Sequence, residues 1–180
     1  MHSTCSILYQ RGIYGPEHFE RRKKYGLTMM VSTDEGLQGY LTNVLTQISE
    51  WLERGQLQKL VLVIANVHTK DVMERWTFDI ETNQGVLEGG EAPTKPEKEI
   101  QAEIQAIIRQ ITASVTFLPL LEDPCSFDLL VYTSKDSIVP NAWEESDPRY
   151  ITKSAQVRLR SFTTKVHKVD AMVAYKADEE

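Results

Sequence analysis

Leu60-Val61-Leu62-Val63-Ile64-Ala65-Asn66-Val67, then Thr69-Lys70-Asp71, then Val72-Met73-Glu74-Arg75-Trp76-Thr77-Phe78-Asp79-Ile80: this stretch decides the fold. The first run is apolar almost throughout, rich in branched residues and too short for a typical buried helix, so it predicts a strand covered on both faces. After the polar turn, Val72, Trp76, Phe78 and Ile80 fall on one side of a second strand. The two runs together predict a β-hairpin.

Upstream, Leu37, Tyr40, Leu41, Val44, Leu45, Ile48, Trp51 and Leu52 recur at three and four residues, which puts them on one face of a core helix that Gly55 ends. Ser32 and Glu35 have the spacing of a capping box at its start. Gly15-Pro16 marks a turn. The basic run Arg21-Arg22-Lys23-Lys24 reads as a solvated face or loop, the alternative being a nuclear-import patch. Residues 6–12 read as a helix end with Gly12 at the C-cap. So short a helix cannot stand on its own nucleation energetics, so either it docks on the rest or the natural domain begins further upstream.

Downstream, residues 82–96, with Gly85, Gly89, Gly90, Pro93 and Pro96, predict a polar surface loop, and Pro96 suits the entry to a helix. Ile100, Ile104, Ile107, Ile108, Ile111 and Val115 make one stripe of that helix, with Glu99, Glu103 and Arg109 on its other face. Cys125 to Thr133 is a third strand. Residues 134–155 are polar and aperiodic, with Pro140 and Pro148. Val157 to Val166 and Val169 to Tyr175 then alternate as strands, with His167-Lys168 as a weak turn.

At 180 residues with 41% hydrophobic and 26% charged, the chain has the composition of one packed domain. Twenty basic against twenty-six acidic residues leave a net charge of −6, the wrong sign for affinity built on neutralising phosphates, so nucleic acid is not an expected partner. Two cysteines, Cys5 and Cys125, are too few for a disulfide framework or a cysteine-based zinc site, which favours a reducing, intracellular location. No apolar run reaches bilayer length and the start lacks a signal-peptide pattern, so no membrane partner is expected either.

Chemistry is sparse. His2, His18, His68 and His167 are scattered without metal-ligand spacing, and there is no nucleophile elbow, P-loop or dinucleotide fingerprint. The pair Glu144 and Glu145, beside Trp143, sits in a polar segment without the burial that general acid–base work needs. The reading therefore expects no enzyme, cofactor or metal, and leaves a binding surface: a sheet able to accept an added strand beside a segment able to move.

Several blocks carry a family resemblance. Ser6-Ile7-Leu8-Tyr9-Gln10-Arg11-Gly12-Ile13-Tyr14, Lys24-Tyr25-Gly26-Leu27-Thr28, Glu74-Arg75-Trp76-Thr77-Phe78-Asp79-Ile80-Glu81, Ile108-Arg109-Gln110-Ile111-Thr112-Ala113, Thr116-Phe117-Leu118-Pro119-Leu120-Leu121 and Val157-Arg158-Leu159-Arg160-Ser161-Phe162-Thr163-Thr164 resemble the HORMA-domain proteins of the spindle checkpoint, from about Ser6 to Tyr175. The resemblance implies an α+β fold, a single HORMA domain over 1–180, with long helices packed on a mixed β-sheet and a mobile C-terminal safety belt at 134–180. In the closed state the belt wraps a short peptide of the anaphase-promoting complex activator or of the kinetochore partner, mitotic arrest deficient one, and delays anaphase. Closed and open conformers pair with each other, and the comet protein and an AAA+ remodelling ATPase are further implied partners. Nucleus and cytoplasm, with kinetochore and spindle in mitosis, are the implied locations. The alternative is a HORMA-type adaptor of another pathway, translesion-polymerase accessory or meiotic.

By position, the resemblance assigns the peptide edge to Leu129, Leu130, Val131, Tyr132 and Thr133, where Leu129 and Val131 share one parity and Leu130 and Tyr132 the other; sheet core is the competing reading. It assigns Arg109, Gln110 and Phe117 to dimerisation. Trp143 either pins its loop or contacts a partner. Ser146 and Ser154 match positions open to phosphorylation, whereas Ala171 stands where some relatives carry a serine. The family's amino-terminal strand and most of its first helix have no counterpart, which leads to an expected bias towards the closed state and lower stability.

Overall fold

A computed structural model of the chain describes residues 2–24 and 26–177; Met1, Tyr25, residues 178–180 and the side chain of His2 lie outside the described residues. In chain order the elements are α1 (His2–Gln10), β1 (Phe19–Lys24), β2 (Leu27–Ser32), α2 (Glu35–Glu53), β3 (Leu57–Asn66), β4 (Val72–Thr82), the short α3 (Gln84–Leu87), α4 (Glu97–Ala113), β5 (Cys125–Thr133), β6 (Ser154–Arg158), β7 (Phe162–Thr163) and β8 (His167–Lys176).

The β3–β4 hairpin is the centre of the main sheet, whose order is β5-β3-β4-β8-β6, with β7 also on β8. Each of these pairings is antiparallel, so the sheet mixes distant parts of the chain rather than strand directions. Cross-strand register runs Leu129–Leu62–Trp76–Val173 in one row and Val131–Leu60–Phe78–Ala171 in another. Because side chains alternate across a strand, these rows share one face. There Leu62, Ile64 and Trp76 pack with Ile107, Ile108 and Ile111 of α4 and Ile7 of α1. Leu60 and Val131 pack with Ile48 and Trp51 of α2. The opposite face of β3 is closed too, since Val61 and Val63 are fully buried. The α+β reading and the strand covered on both faces therefore hold.

One buried pair lies within this layer. Glu74, on the same side as Trp76, accepts a hydrogen bond from Arg11 Nε at 2.8 Å and from Trp76 Nε1 at 3.1 Å, while Arg11 Nη2 also donates to the Pro119 carbonyl. Both carboxylate oxygens and the guanidinium fork are used, the condition under which two buried charges are tolerated. The pair also explains how the short α1 is held: Arg11, the residue after its last, is tied to β4 just before Gly12, whose φ is +65°.

Some local expectations are corrected. The cap of α2 is Asp34, whose carboxylate accepts from Leu37 N at 2.7 Å, worth about 1 kcal/mol. Ser32 is instead buried at the end of β2, its hydroxyl accepting from Asp34 N. The basic run is a solvated face, as a strand rather than a loop: β1 is exposed after Phe19 and pairs with β2, where Met29 and Val31 face inward. Val115 leaves the apolar stripe, because Ser114–Thr116 tightens into a 3₁₀ turn that rotates it outward. The strand expected over 157–166 divides into β6 and β7, and Thr164 forms the turn before β8, accepting from Val166 N and His167 N. Thus His167 and Lys168 belong to β8.

Candidate functional site

The two ends of the sheet differ. Among the described residues β5 pairs only with β3, so half of its backbone N–H and C=O groups point away from the sheet. Segment 134–153 passes this edge without forming a strand on it. Its path is fixed at a few points. Ser134 N donates to the Gln56 carbonyl at 2.9 Å. Trp51 Nε1 donates to the Ile138 carbonyl at 3.2 Å, and the Trp143 ring meets Trp51 edge-on at 5.0 Å between centroids. So far the segment lies on the helical side.

Arg149 then forms an ion pair with Asp128, and the Arg75 guanidinium lies 4.8 Å from the centre of the Tyr150 ring. Asp128 and Arg75 both stand opposite Val63, which places them on the face away from the helices. The segment therefore loops around the outside of β5 from one face to the other and joins β6 at the far side of the sheet. Between α2, β5 and this loop lies a groove of about 1260 Å³, lined by residues including Tyr40, Gln47, Leu130 and Trp143. Asp128, Glu144, Glu145 and Asp147 line it against one cation, Arg149. Such a field favours a cationic ligand. Burial, then Asp128, pushes the Tyr40 hydroxyl pKa up, keeping that group neutral.

At the opposite end, Lys95 Nζ donates to both Glu103 carboxylate oxygens at 2.8 Å and to the Thr163 carbonyl at 2.9 Å. Thr163 N donates to Glu103 Oε2 at 2.8 Å. This network ties β7 to α4 and the preceding loop, and the Lys95 hydrogen bond, followed by those from Thr163, holds the Glu103 carboxyl below its ordinary pKa.

The expected site residues fall in separate places. Leu129 and Val131 face the helical core while Leu130 and Tyr132 face the other side, Tyr132 beneath Lys59 Nζ at 5.5 Å. Thr133 ends the strand opposite Leu57. All five are half-buried on an edge open to a further strand. Trp143 is half-buried against Trp51. Arg109 is exposed on α4, Gln110 accepts from Arg160 N, and Phe117 is 43% exposed beyond the helix. Ser146 is exposed in the loop, but Ser154 starts β6 opposite Lys176 and so belongs to a strand. Sequence reasoning missed Tyr40 as a groove wall, since periodicity placed it on the core face, and it missed Asp128, Arg149 and Tyr150. Only the strand register exposes the last three.

Cys5 is buried, and burial pushes its thiol pKa up; burial, then the nearby carboxylates Glu74 and Asp123, does the same at Cys125. Neither is a poised thiolate. Among the described residues no three metal-ligating side chains converge, and no helix is long and apolar enough to cross a membrane.

Comparison with known proteins agrees with this geometry. The HORMA domain family model matches residues 2–167. The chain is 64% identical to the mitotic spindle assembly checkpoint protein MAD2A of Dictyostelium discoideum, over 97% of this chain and 86% of that protein. It is 58% identical to the protein of the same name from Homo sapiens, over 95% and 83% respectively. MAD2B of Danio rerio is more distant, 28% identical over 71% of this chain and 58% of that protein. Among solved structures, a chain of a mitotic checkpoint complex superposes with a TM-score of 0.90 at 45% identity, covering 98% of this chain and 93% of that one. Caenorhabditis HTP-1 bound to HTP-3 motif-1 shares the fold alone, with a TM-score of 0.79 at 15% identity over 97% of this chain and 85% of that one.

Proposed function

The chain belongs to the HORMA-domain family, within it to the MAD2-type spindle assembly checkpoint proteins, and from that premise we propose that it acts by enclosing a short peptide between β5 and segment 134–153. The coarse role is that of a spindle assembly checkpoint adaptor with peptide partners in a checkpoint complex. An adaptor of another HORMA pathway is less supported, since the identities of 64% and 58% are to MAD2A checkpoint proteins.

One observation carries the proposal: a β-strand edge with unpaired backbone groups is held open inside a loop of its own chain. A peptide added there as a strand gains main-chain hydrogen bonds, while alternate side chains supply selectivity. Leu129, Leu130, Val131, Tyr132 and Thr133 form the receiving edge, and Trp143 covers the ligand from the belt that runs over 134–180. The pairing of β8 with β4, which leaves β5 free, supports reading this arrangement as the closed one.

The ligand is a segment of the anaphase-promoting complex activator or of mitotic arrest deficient one. Arg109, Gln110 and Phe117 form the surface for the open conformer and for the comet protein, through which an AAA+ ATPase reopens the belt. Ser146 and Ser154 are acceptors whose phosphates add charge to a segment that has to repack. The protein works by binding rather than catalysis, in nucleus and cytoplasm and at the kinetochore and spindle in mitosis.

Fluorescence polarisation with a labelled activator peptide tests this. Saturable binding, slow to form because the belt has to rearrange, and displacement by the mitotic arrest deficient one peptide are expected. No saturable binding of either peptide contradicts the proposal.

A further inference from the structure

We infer that Asp147-Pro148-Arg149-Tyr150 is a clasp that fixes the belt across the sheet and sets how fast an enclosed peptide escapes; this rests on the peptide-enclosing reading above. The clasp is built from neighbouring residues that seize two points of one cross-strand row. The register places Asp128 of β5 and Arg75 of β4 on either side of Val63, two strand spacings apart, about 10 Å. Arg149 reaches the first and Tyr150 the second.

The backbone is shaped for this. Arg149 has φ +49°, a conformation that costs a non-glycine residue energy, and it is held there by its N–H donating to Asp147 Oδ1 at 2.8 Å. Pro148 fixes φ between them. Arg75 gives the second point its weight. It is 8% exposed, its Nε has no hydrogen-bond partner, and among the described residues no carboxylate forms an ion pair with it. The Tyr150 ring is the compensating contact on that face. Asp128 and Arg149 line the groove whereas Arg75 and Tyr150 do not, so the second anchor acts on the belt and through it on the peptide. Arg149, Tyr150 and Arg75 are positioning residues.

The test measures release of the labelled activator peptide, chased with unlabelled peptide, together with amide exchange over 148–158 in the unliganded full chain. Tyr150→Ala is expected to accelerate release about three- to fivefold, and Arg149→Gln about two- to fivefold. Tyr150→Phe, which keeps the ring, is expected to match the parent. Arg149→Lys restores part of the effect. Raising salt speeds release from the parent but not from Arg149→Gln, a response that mere loss of packing does not give. Exchange over 148–158 rises in both weakened variants while that over 60–80 stays fixed, which separates unclasping from misfolding. Release at the parental rate with unchanged exchange overturns the inference. Should the parent bind no peptide, the functional reading fails on its own, and the clasp stands or falls on the exchange alone.

Discussion

The two ends of the main sheet solve the exposed-edge problem in opposite ways. At one end, the C-terminal strands β6 and β8 add to β4 through continuous ladders, and β7 is stapled to α4 by Lys95 and Glu103. At the other, β5 has no strand on its outer edge among the described residues, and segment 134–153 goes around it on a few side-chain contacts. Unpaired edges invite pairing with another chain, so an edge left open but roofed is a place for a chosen strand and not for any strand. The closed end takes its strength from hydrogen-bond ladders; on the proposed function, the open end keeps that bonding for a ligand.

Trp51 and Trp143 give the sharpest way to break this comparison, because they touch each other across the boundary between core and belt. Trp51 is buried in α2, and Trp51→Ala is expected to cost about 3–5 kcal/mol in denaturant unfolding. Trp143→Ala is expected to cost no more than about 1.5 kcal/mol, while peptide retention falls and exchange over 134–153 rises. Equal losses of stability from the two would mean that the belt is part of the core. A comparable test lies deeper: Glu74→Ala leaves Arg11 buried without its partner, with an expected loss of about 3–5 kcal/mol in the same measurement.

The stapled end has a pH signature. The Glu103 carboxyl titrates below its ordinary value, so the folded form binds its proton less readily than the unfolded chain. The resulting stabilisation is present above the ordinary glutamate pKa and is lost as pH falls through the lowered one. Exchange at β7 and Thr164 is expected to rise over that acid window in the parent, and to be already raised and flat with pH in Glu103→Gln. The smallest expected effect on stability is at Arg109: Arg109→Ala should shift unfolding by less than about 0.5 kcal/mol, yet lower self-association seen by analytical ultracentrifugation.

Legibility in the sequence follows burial. The β3–β4 hairpin, α2 and the bounds of β5 could be read because one face is packed against helices, and packing imposes a period of two or 3.6 residues on the apolar positions. β1 could not, because Glu20 to Lys24 are exposed on both faces and nothing constrains their alternation. The same reason hides the clasp: Arg149 and Tyr150 are unremarkable loop residues until the register brings Asp128 and Arg75 into one row. Ser32 shows the converse, a spacing that fits a helix cap while burial in β2 claims the residue and leaves the cap to Asp34.

Hydrogen exchange followed by peptide-level mass spectrometry, with and without the activator peptide, bears most directly on the β5 edge as the receiving strand. Ligand is expected to slow exchange strongly over 125–133 and 134–153 and to leave 60–80 as it was. Bound peptide with unchanged exchange over 125–153 would contradict the account.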